Sequence, residues 1–334
     1  MTGRVGDDVE QAVAILRGGG LVAFPTETVY GLGADATDAA AVGRIFRAKG
    51  RPADHPLIVH LGPDTPMDPW VLDVPLVARL LAEAFWPGPL TLVLARSSRV
   101  PDPVTGGRPT VGLRVPDHPV ARELLAGFGG GVAAPSANRF GHVSPTTAAD
   151  VVADLGDVVD YVLDGGPCRV GVESTIVDCS GDEPELLRPG GVSLERLTEV
   201  LGAPPRLWLG DSPARAPGML AAHYAPRARV EVVADEAAAR ARVVALVAAD
   251  GGRGRIAVLA PAPLAGLDAA AGDGDVVELE PAGPPDDYAR VLYARLRQAD
   301  RLGASVVVAV EPPPVGVGLA VRDRLTRAGA SSSG

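Results

Sequence analysis

Leu21-Val22-Ala23-Phe24-Pro25-Thr26-Glu27-Thr28-Val29-Tyr30-Gly31-Leu32-Gly33 decides the fold. Four apolar residues stopped by a proline read as a short buried strand. The polar groups that follow then emerge at the end of a sheet, where α/β proteins bind ligands. The hydroxyls of Thr26, Thr28 and Tyr30 and the carboxylate of Glu27 crowd into five residues. A plainer reading makes the same block a hydrogen-bonded turn in which Gly31 and Gly33 supply positive φ.

Outward from this stretch, strands and helices mix. Residues 8–17 read as a helix stopped by three glycines, and 38–48 as a helix with apolar spacing through Ala41, Val42, Ile45 and Phe46. Leu57-Ile58-Val59, 90–94, 110–115, 131–134, 161–164 and 173–178 read as strands. Helices are predicted near 75–85, 118–126, 146–154 and 193–201. The pattern is that of an α/β sheet layered with helices. Residues 203–227, rich in Pro, Gly, Ala and Arg, show no periodicity and read as a linker. Beyond them the pattern restarts, with strands at 230–233, 256–259, 276–279 and 305–309 and helices at 235–249, 286–301 and 318–328. That succession predicts a smaller doubly wound parallel sheet. The domain reading is 1–205, a linker at 206–228, a second domain at 229–330 and a disordered tail at 331–334.

At 334 residues the chain is long for one domain. Its net charge of −10 argues against a general nucleic-acid binder, because phosphate binding draws on clustered cations. Cys168 and Cys179 form no metal spacing and read as reduced thiols of a cytoplasmic protein. No signal-peptide run or membrane-spanning stretch is seen. P-loop, G-x-G-x-x-G, H-E-x-x-H and G-x-S-x-G patterns are all absent.

Lys49 is the only lysine; every other basic residue is arginine. Lys49 and Arg51 put an ammonium and a planar fork one residue apart, which suits a polyanion such as a nucleotide triphosphate. A cation at a solvated helix end is the alternative. His55 and His60 flank the following strand, where each alone would serve as a structural hydrogen-bonder. Thr110, Gly112 and Arg114 share one strand face. Arg114 needs a partner there, either a ligand carboxylate or a protein Asp or Glu. Ala134-Pro135-Ser136-Ala137-Asn138 offers small polar groups for phosphate oxygens. Ser144-Pro145 reads as a helix cap with proline at the first helical position. Glu173-Ser174-Thr175 and Arg188 complete the polar set.

In this order the blocks resemble the YrdC-like family of L-threonylcarbamoyladenylate synthases, in its long two-domain form. The strings that carry the resemblance are 25–33, Lys-x-Arg at 49–51, Ser-x-Asn at 136–138, Glu-Ser-Thr-Ile-Val-Asp at 173–178 and Leu-Arg-Pro-Gly at 187–190. His223-Tyr224-Ala225-Pro226 in the linker matches the long members. The resemblance implies a nucleotidyltransferase that turns L-threonine, bicarbonate and ATP into threonylcarbamoyl-AMP and pyrophosphate, the first step of tRNA threonylcarbamoyladenosine formation. It places ATP near Lys49, Arg51, His55, Thr110, Ser136, Asn138, Ser144, Arg188 and Tyr224. L-Threonine falls near Thr28, His60, Arg114, Ala134 and Ser174. Lys49 and Arg51 are assigned to catalysis. Mg2+ is expected with ATP, carried by phosphate and water rather than by a protein cage. The tRNA threonylcarbamoyl-transfer machinery is the expected partner, with weak or no RNA binding by this chain. The linker is expected to close over the nucleotide. Two alternatives are an RNA-binding module on the same fold and a carbamoyl-transfer enzyme like the related hydrogenase-maturation domain. Few aromatics count against the first and two cysteines against the second.

Overall fold

The computed structural model describes residues 4–208, 217, 224–250, 254–272 and 274–330. The expected tail, 331–334, and most of the expected linker lie outside the described residues. The chain divides into two compact units, one comprising 1–140 and 144–219 and the other 141–143 and 220–334.

The first unit runs β1 (Arg4–Gly6), α1 (Val9–Arg17), β2 (Val22–Phe24), β3 (Gly31–Asp35), α2 (Ala39–Lys49) and β4 (Ile58–His60). It continues with α3 (Leu76–Phe85), β5 (Leu90–Ala95), α4 (Asp102–Thr105), β6 (Thr110–Arg114), α5 (Pro119–Phe128) and β7 (Val132–Ala133). Then follow α6 (Ala148–Leu155), β8 (Tyr161–Leu163), β9 (Thr175–Asp178), β10 (Glu185–Arg188), α7 (Leu194–Leu201) and β11 (Arg206–Leu207). Its strands form one mixed sheet in the order β1-β8-β2-β3-β7-β4-β6-β5-β9-β10-β11. The linker reading began at 206, but Arg206 and Leu207 pair with β10 as the edge strand of this sheet.

The helices start where short polar side chains can take up open backbone N–H groups. Asp8 caps α1 and Asp38 caps α2. Thr147 and Asp150 form a capping box on α6, so the cap is Thr147, not Ser144 as the sequence suggested. Gly50 ends α2 in the left-handed conformation, at φ 63°, and turns the chain back after Lys49.

Gly31-Leu32-Gly33, part of a turn on the plainer reading of the block, opens strand β3, which is antiparallel to both β2 and β7. Neither Gly31 nor Gly33 has positive φ. Both lack side chains for a different reason. A Cβ on Gly33 would stand 2.8 Å from the Phe24 ring and from Val132, and one on Gly31 would be 3.3 Å from Ala134.

In the second unit β12 (Arg229–Val233), α8 (Glu236–Asp250), β13 (Ile256–Leu259), α9 (Leu267–Ala271), β14 (Val276–Glu278), α10 (Pro285–Arg301), β15 (Val306–Val310) and α11 (Gly318–Ala330) alternate. The four strands are all parallel, in the order β12-β15-β13-β14. The apolar runs of the two central strands, β15 and β13, are buried, as expected of a parallel sheet covered by helices. The architecture is the mixed sheet plus smaller parallel sheet expected from the sequence.

Candidate active site

Strand register builds the site. Residues paired across strands point to the same face, and the face alternates along each strand. Ile58 pairs with Gly112 and His60 with Arg114. Val93 pairs with Gly112 and Ala95 with Thr110. Thr91 pairs with Ile176, and the Ala134 N–H donates to the Ile58 carbonyl. One face therefore carries Ala134, His60, Thr110, Gly112, Arg114 and Thr91 in adjacent rows. Ile58, Val93, Ile176 and Leu187 form a small apolar cluster apart from the main core. The opposite face, with Val59, Leu92, Leu94, Val111, Leu113, Ala133 and Val177, belongs to that core. Gly112 leaves the middle of the polar face low: a Cβ there would already meet Thr91 at 3.3 Å.

Loops stitched to one another surround this floor. The Glu27 and Thr28 carbonyls accept from the N–H groups of Val170 (2.7 Å) and Gly171 (3.2 Å). Tyr30 donates through its N–H to the Pro145 carbonyl, and its own carbonyl accepts from Ala137. Thr26 ties the turn, its hydroxyl donating to the Val29 carbonyl at 2.6 Å and lying 2.8 Å from the Thr28 hydroxyl. Blocks at 25–33, 134–145 and 170–174, far apart in sequence, thus become neighbours.

Lys49 is buried at the end of α2. Its ammonium donates to the carbonyls of Ser136 (2.6 Å) and Asn138, with the Asn138 side-chain oxygen at 3.4 Å. Its three hydrogens are directed at the 136–138 loop. The sequence reading sends this charge to the triphosphate; in the structure it also holds the 136–138 loop. Burial, with the nearby Arg51 charge, pushes its proton affinity well below that of an ordinary lysine. Arg51 donates to the Pro56 carbonyl at 3.0 Å and lies over the Phe140 ring at 5.6 Å. His55 packs against the same ring, centroids 5.3 Å apart. Burial and then Arg51 lower its pKa, so it is neutral at pH 7.

Arg114 has a protein partner. Its Nη2 lies 2.7 Å from Glu27 Oε1, and its Nε donates to the Gly88 carbonyl at 3.3 Å. Of the two partners open to Arg114 in the sequence reading, the structure shows the protein carboxylate. His60 is buried edge-on to Phe24, centroids 5.9 Å apart, and burial followed by the Arg114 charge brings its pKa down to about 3. The Ser174 hydroxyl lies 2.8 Å from that of Thr91 and accepts from Arg188 at 3.1 Å. Arg188 also donates to the carbonyls of Ser174 and Pro217. The Ser144 hydroxyl donates to Glu173 at 2.7 Å.

The fold brings Lys49, Arg51, His55, Ser136 and Asn138 to one end of β4, and His60 and Arg114 to the other. Thr28, Thr110, Ala134, Ser144, Ser174 and Arg188 line or border the same face. Tyr224 lies in the second unit, buried at φ 64°, stacked on Tyr293 at 5.9 Å with the Arg324 guanidinium 5.0 Å from its ring. Of the expected lid at 217–226, only 217 and 224–226 are described. The sequence reading did not place Thr91 or Phe140 in the site. Thr91 sits in an apolar run with no local mark, and only strand register reveals it. Burial pushes both cysteine thiols up to about 12, which leaves them poor nucleophiles.

Fold and site residues together define an α/β protein of the YrdC-like class. Residues 14–190 match the family described as "Telomere recombination", and 192–330 the family described as "Threonylcarbamoyl-AMP synthase, C-terminal domain". The chain belongs to the threonylcarbamoyl-AMP synthase family and is an enzyme of the nucleotidyltransferase type. It is 42% identical to the threonylcarbamoyl-AMP synthase of Pyrococcus abyssi over 95% of this chain and 92% of that one. With that of Bacillus subtilis the identity is 40%, over 96% and 92%. The crystal structure of the P. abyssi protein Sua5 complexed with L-threonine superposes with a TM-score of 0.89 at 39% identity, covering 98% of each chain. Among the described residues, no helix is long and apolar enough to cross a membrane.

Proposed function

We propose that the protein makes threonylcarbamoyl-AMP from L-threonine, bicarbonate and ATP and releases pyrophosphate, the first step towards threonylcarbamoyladenosine in tRNA. The observation that carries this reading is the face formed by Ala134, His60, Thr110, Gly112, Arg114 and Thr91, bordered by the loop bearing Arg51 and by the end of β10, which bears Arg188. Such a face can hold an amino acid and a triphosphate side by side, and alignment is most of what this reaction needs.

The amine nitrogen of threonine bonds to the carbon of CO2 and loses a proton, or bonds to that of bicarbonate with loss of water, and becomes a carbamate. A carbamate oxygen then attacks the α-phosphorus, and the bond to pyrophosphate breaks. Both partners in the second step are anionic, so fixed cations lower the barrier. Arg51 and Arg188 would face the triphosphate, with the hydroxyls of Thr110, Ser136 and Ser144 on its oxygens. Lys49 adds its charge and holds the 136–138 loop in place. Asn138 and His55 would bound the nucleotide. Arg114 would take the threonine carboxylate, while Thr28, Ser174, neutral His60 and the Ala134 backbone would orient the rest. The assignment of Tyr224 to ATP rests on the family resemblance.

Among the described residues, no group of three or more His, Cys, Asp or Glu side chains is placed to hold a metal. The Ser144 hydroxyl and Glu173 form a hydroxyl–carboxylate pair bordering the face. This donor set fits an Mg2+ that arrives on the nucleotide, held by phosphate oxygens and water. When bound, it would neutralise phosphate charge.

The test measures pyrophosphate release with ATP, bicarbonate and each amino acid, with the adenylate identified by mass spectrometry. Release that requires L-threonine and yields threonylcarbamoyl-AMP is expected. Release indifferent to the amino acid would overturn the assignment. Cytoplasmic residence and supply of the adenylate to the tRNA-modifying transferase follow from the same reading.

A further inference from the structure

Glu27 lies in the threonine-facing part of the site yet has no part in the reaction as derived. It is 2% exposed, and both its oxygens are engaged. Oε1 lies 2.7 Å from Arg114 Nη2, and Oε2 accepts from the Asp117 N–H at 3.0 Å. Arg114, 4% exposed, spends Nε on the Gly88 carbonyl. Nη1 makes no hydrogen bond to the described residues. The protein therefore holds Nε by a hydrogen bond and Nη2 by an ion pair whose two atoms make no hydrogen bond, and we take Nη1 as the nitrogen open to a ligand.

Charge sets what that ligand can be. Glu27 and Arg114 together carry no net charge. His60, paired in register with Arg114, is neutral across the working pH range. His118 is buried beside Glu27, and desolvation lowers its pKa as well. A plain carboxylate docking on Nη1 meets the Arg114 charge and, a few ångströms away, the opposing charge of Glu27. In a desolvated site the two nearly cancel. A molecule with a carboxylate and an ammonium on adjacent atoms meets a matching pair instead.

Resting on the proposed placement of threonine at Arg114, we infer that Glu27 is a specificity-determining residue. It makes the amino-acid subsite select a zwitterion and reject the corresponding plain acid. It acts through Arg114, by orienting the guanidinium and offsetting its charge, and selection of this kind works by making the wrong ligand unfavourable.

The experiment compares L-threonine with 3-hydroxybutanoate, the same molecule without its amine, and threoninol, the same molecule without its carboxylate. Both serve as inhibitors of threonine-dependent pyrophosphate release. For the unmodified enzyme the inhibition constant of 3-hydroxybutanoate should exceed the KM for threonine by at least about 100-fold. Comparable values would overturn the inference without any variant. Glu27→Gln should raise the KM for threonine about 10-fold or more, lower the inhibition constant of 3-hydroxybutanoate by a similar factor and leave threoninol weaker than before. Glu27→Asp keeps the charge and should restore most of the discrimination. A folded Glu27→Gln enzyme that loses kcat with its ligand preference unchanged would show a purely structural role and end the proposal. Arg114→Lys separates the two levels: an unchanged KM for threonine would remove the placement of threonine at Arg114, whatever Glu27 does.

Discussion

Gly190 shows how closely single atoms shape this site. A Cβ there would stand 2.3 Å from the backbone of Ser174 and Thr175 and 2.4 Å from the Glu173 carbonyl. No side chain can swing away to relieve contacts with backbone. Gly190→Ala should therefore shift Ser174 and lower kcat/KM about 100-fold, the scale of a 1 Å misplacement, while circular dichroism stays native-like. Normal activity would show that Ser174 need not be where it is. His60 gives a pH signature. An unfolded histidine titrates near 6.5, and this one near 3. Between those values the unfolded chain binds more protons. The contribution is therefore full above about 6.5, falls by about 1.4 kcal/mol per pH unit through the window and falls no further below about 3. His60→Gln should flatten the dependence of the urea midpoint on pH between about 6 and 4. An unchanged slope would mean that His60 is already protonated in the fold.

At the scale of elements, the end of α2 and the 136–138 loop act as one piece. Lys49→Ala leaves the buried carbonyls of Ser136 and Asn138 short of a donor, at a cost of about 1–3 kcal/mol. It should abolish pyrophosphate release, and Lys49→Arg should rescue little, since a planar fork cannot aim three hydrogens at that loop. Full activity in Lys49→Ala would remove the loop from catalysis. Gly50→Ala is the control. It meets open space but must keep φ at 63°, so it should lose about 1 kcal/mol of stability and keep its activity. Periodic elements such as α1 and α2 were legible because an apolar stripe and a cap mark them locally. Strand β3 was not, because two glycines in five residues carry no strand propensity, and their reason is the Phe24 ring across the sheet. The sequence singled out Arg114 and Lys49 by oddity of type. The partner of one and the direction of the other depend on residues 87 and 89 positions away.

For the whole molecule, the proposed site lies in the first unit, on a sheet face that around Val132 and Ala134 also carries an apolar cluster with α1 and α5. The second unit is a parallel sheet with its own buried apolar cluster, and it holds Tyr224 against Tyr293 and Arg324. Arg324→Met should lower the melting temperature and free that ring, read as increased quenching of tyrosine fluorescence by acrylamide. Unchanged quenching would mean that the guanidinium does not restrain it. The central claim is that register puts both substrates on the face around Gly112, and its most direct measurement is a crystal structure with L-threonine and a non-hydrolysable ATP analogue. The account expects the threonine carboxylate on Nη1 of Arg114 and the triphosphate beside Thr110 and Ser136. Density for either ligand on the opposite face or away from these residues would contradict it.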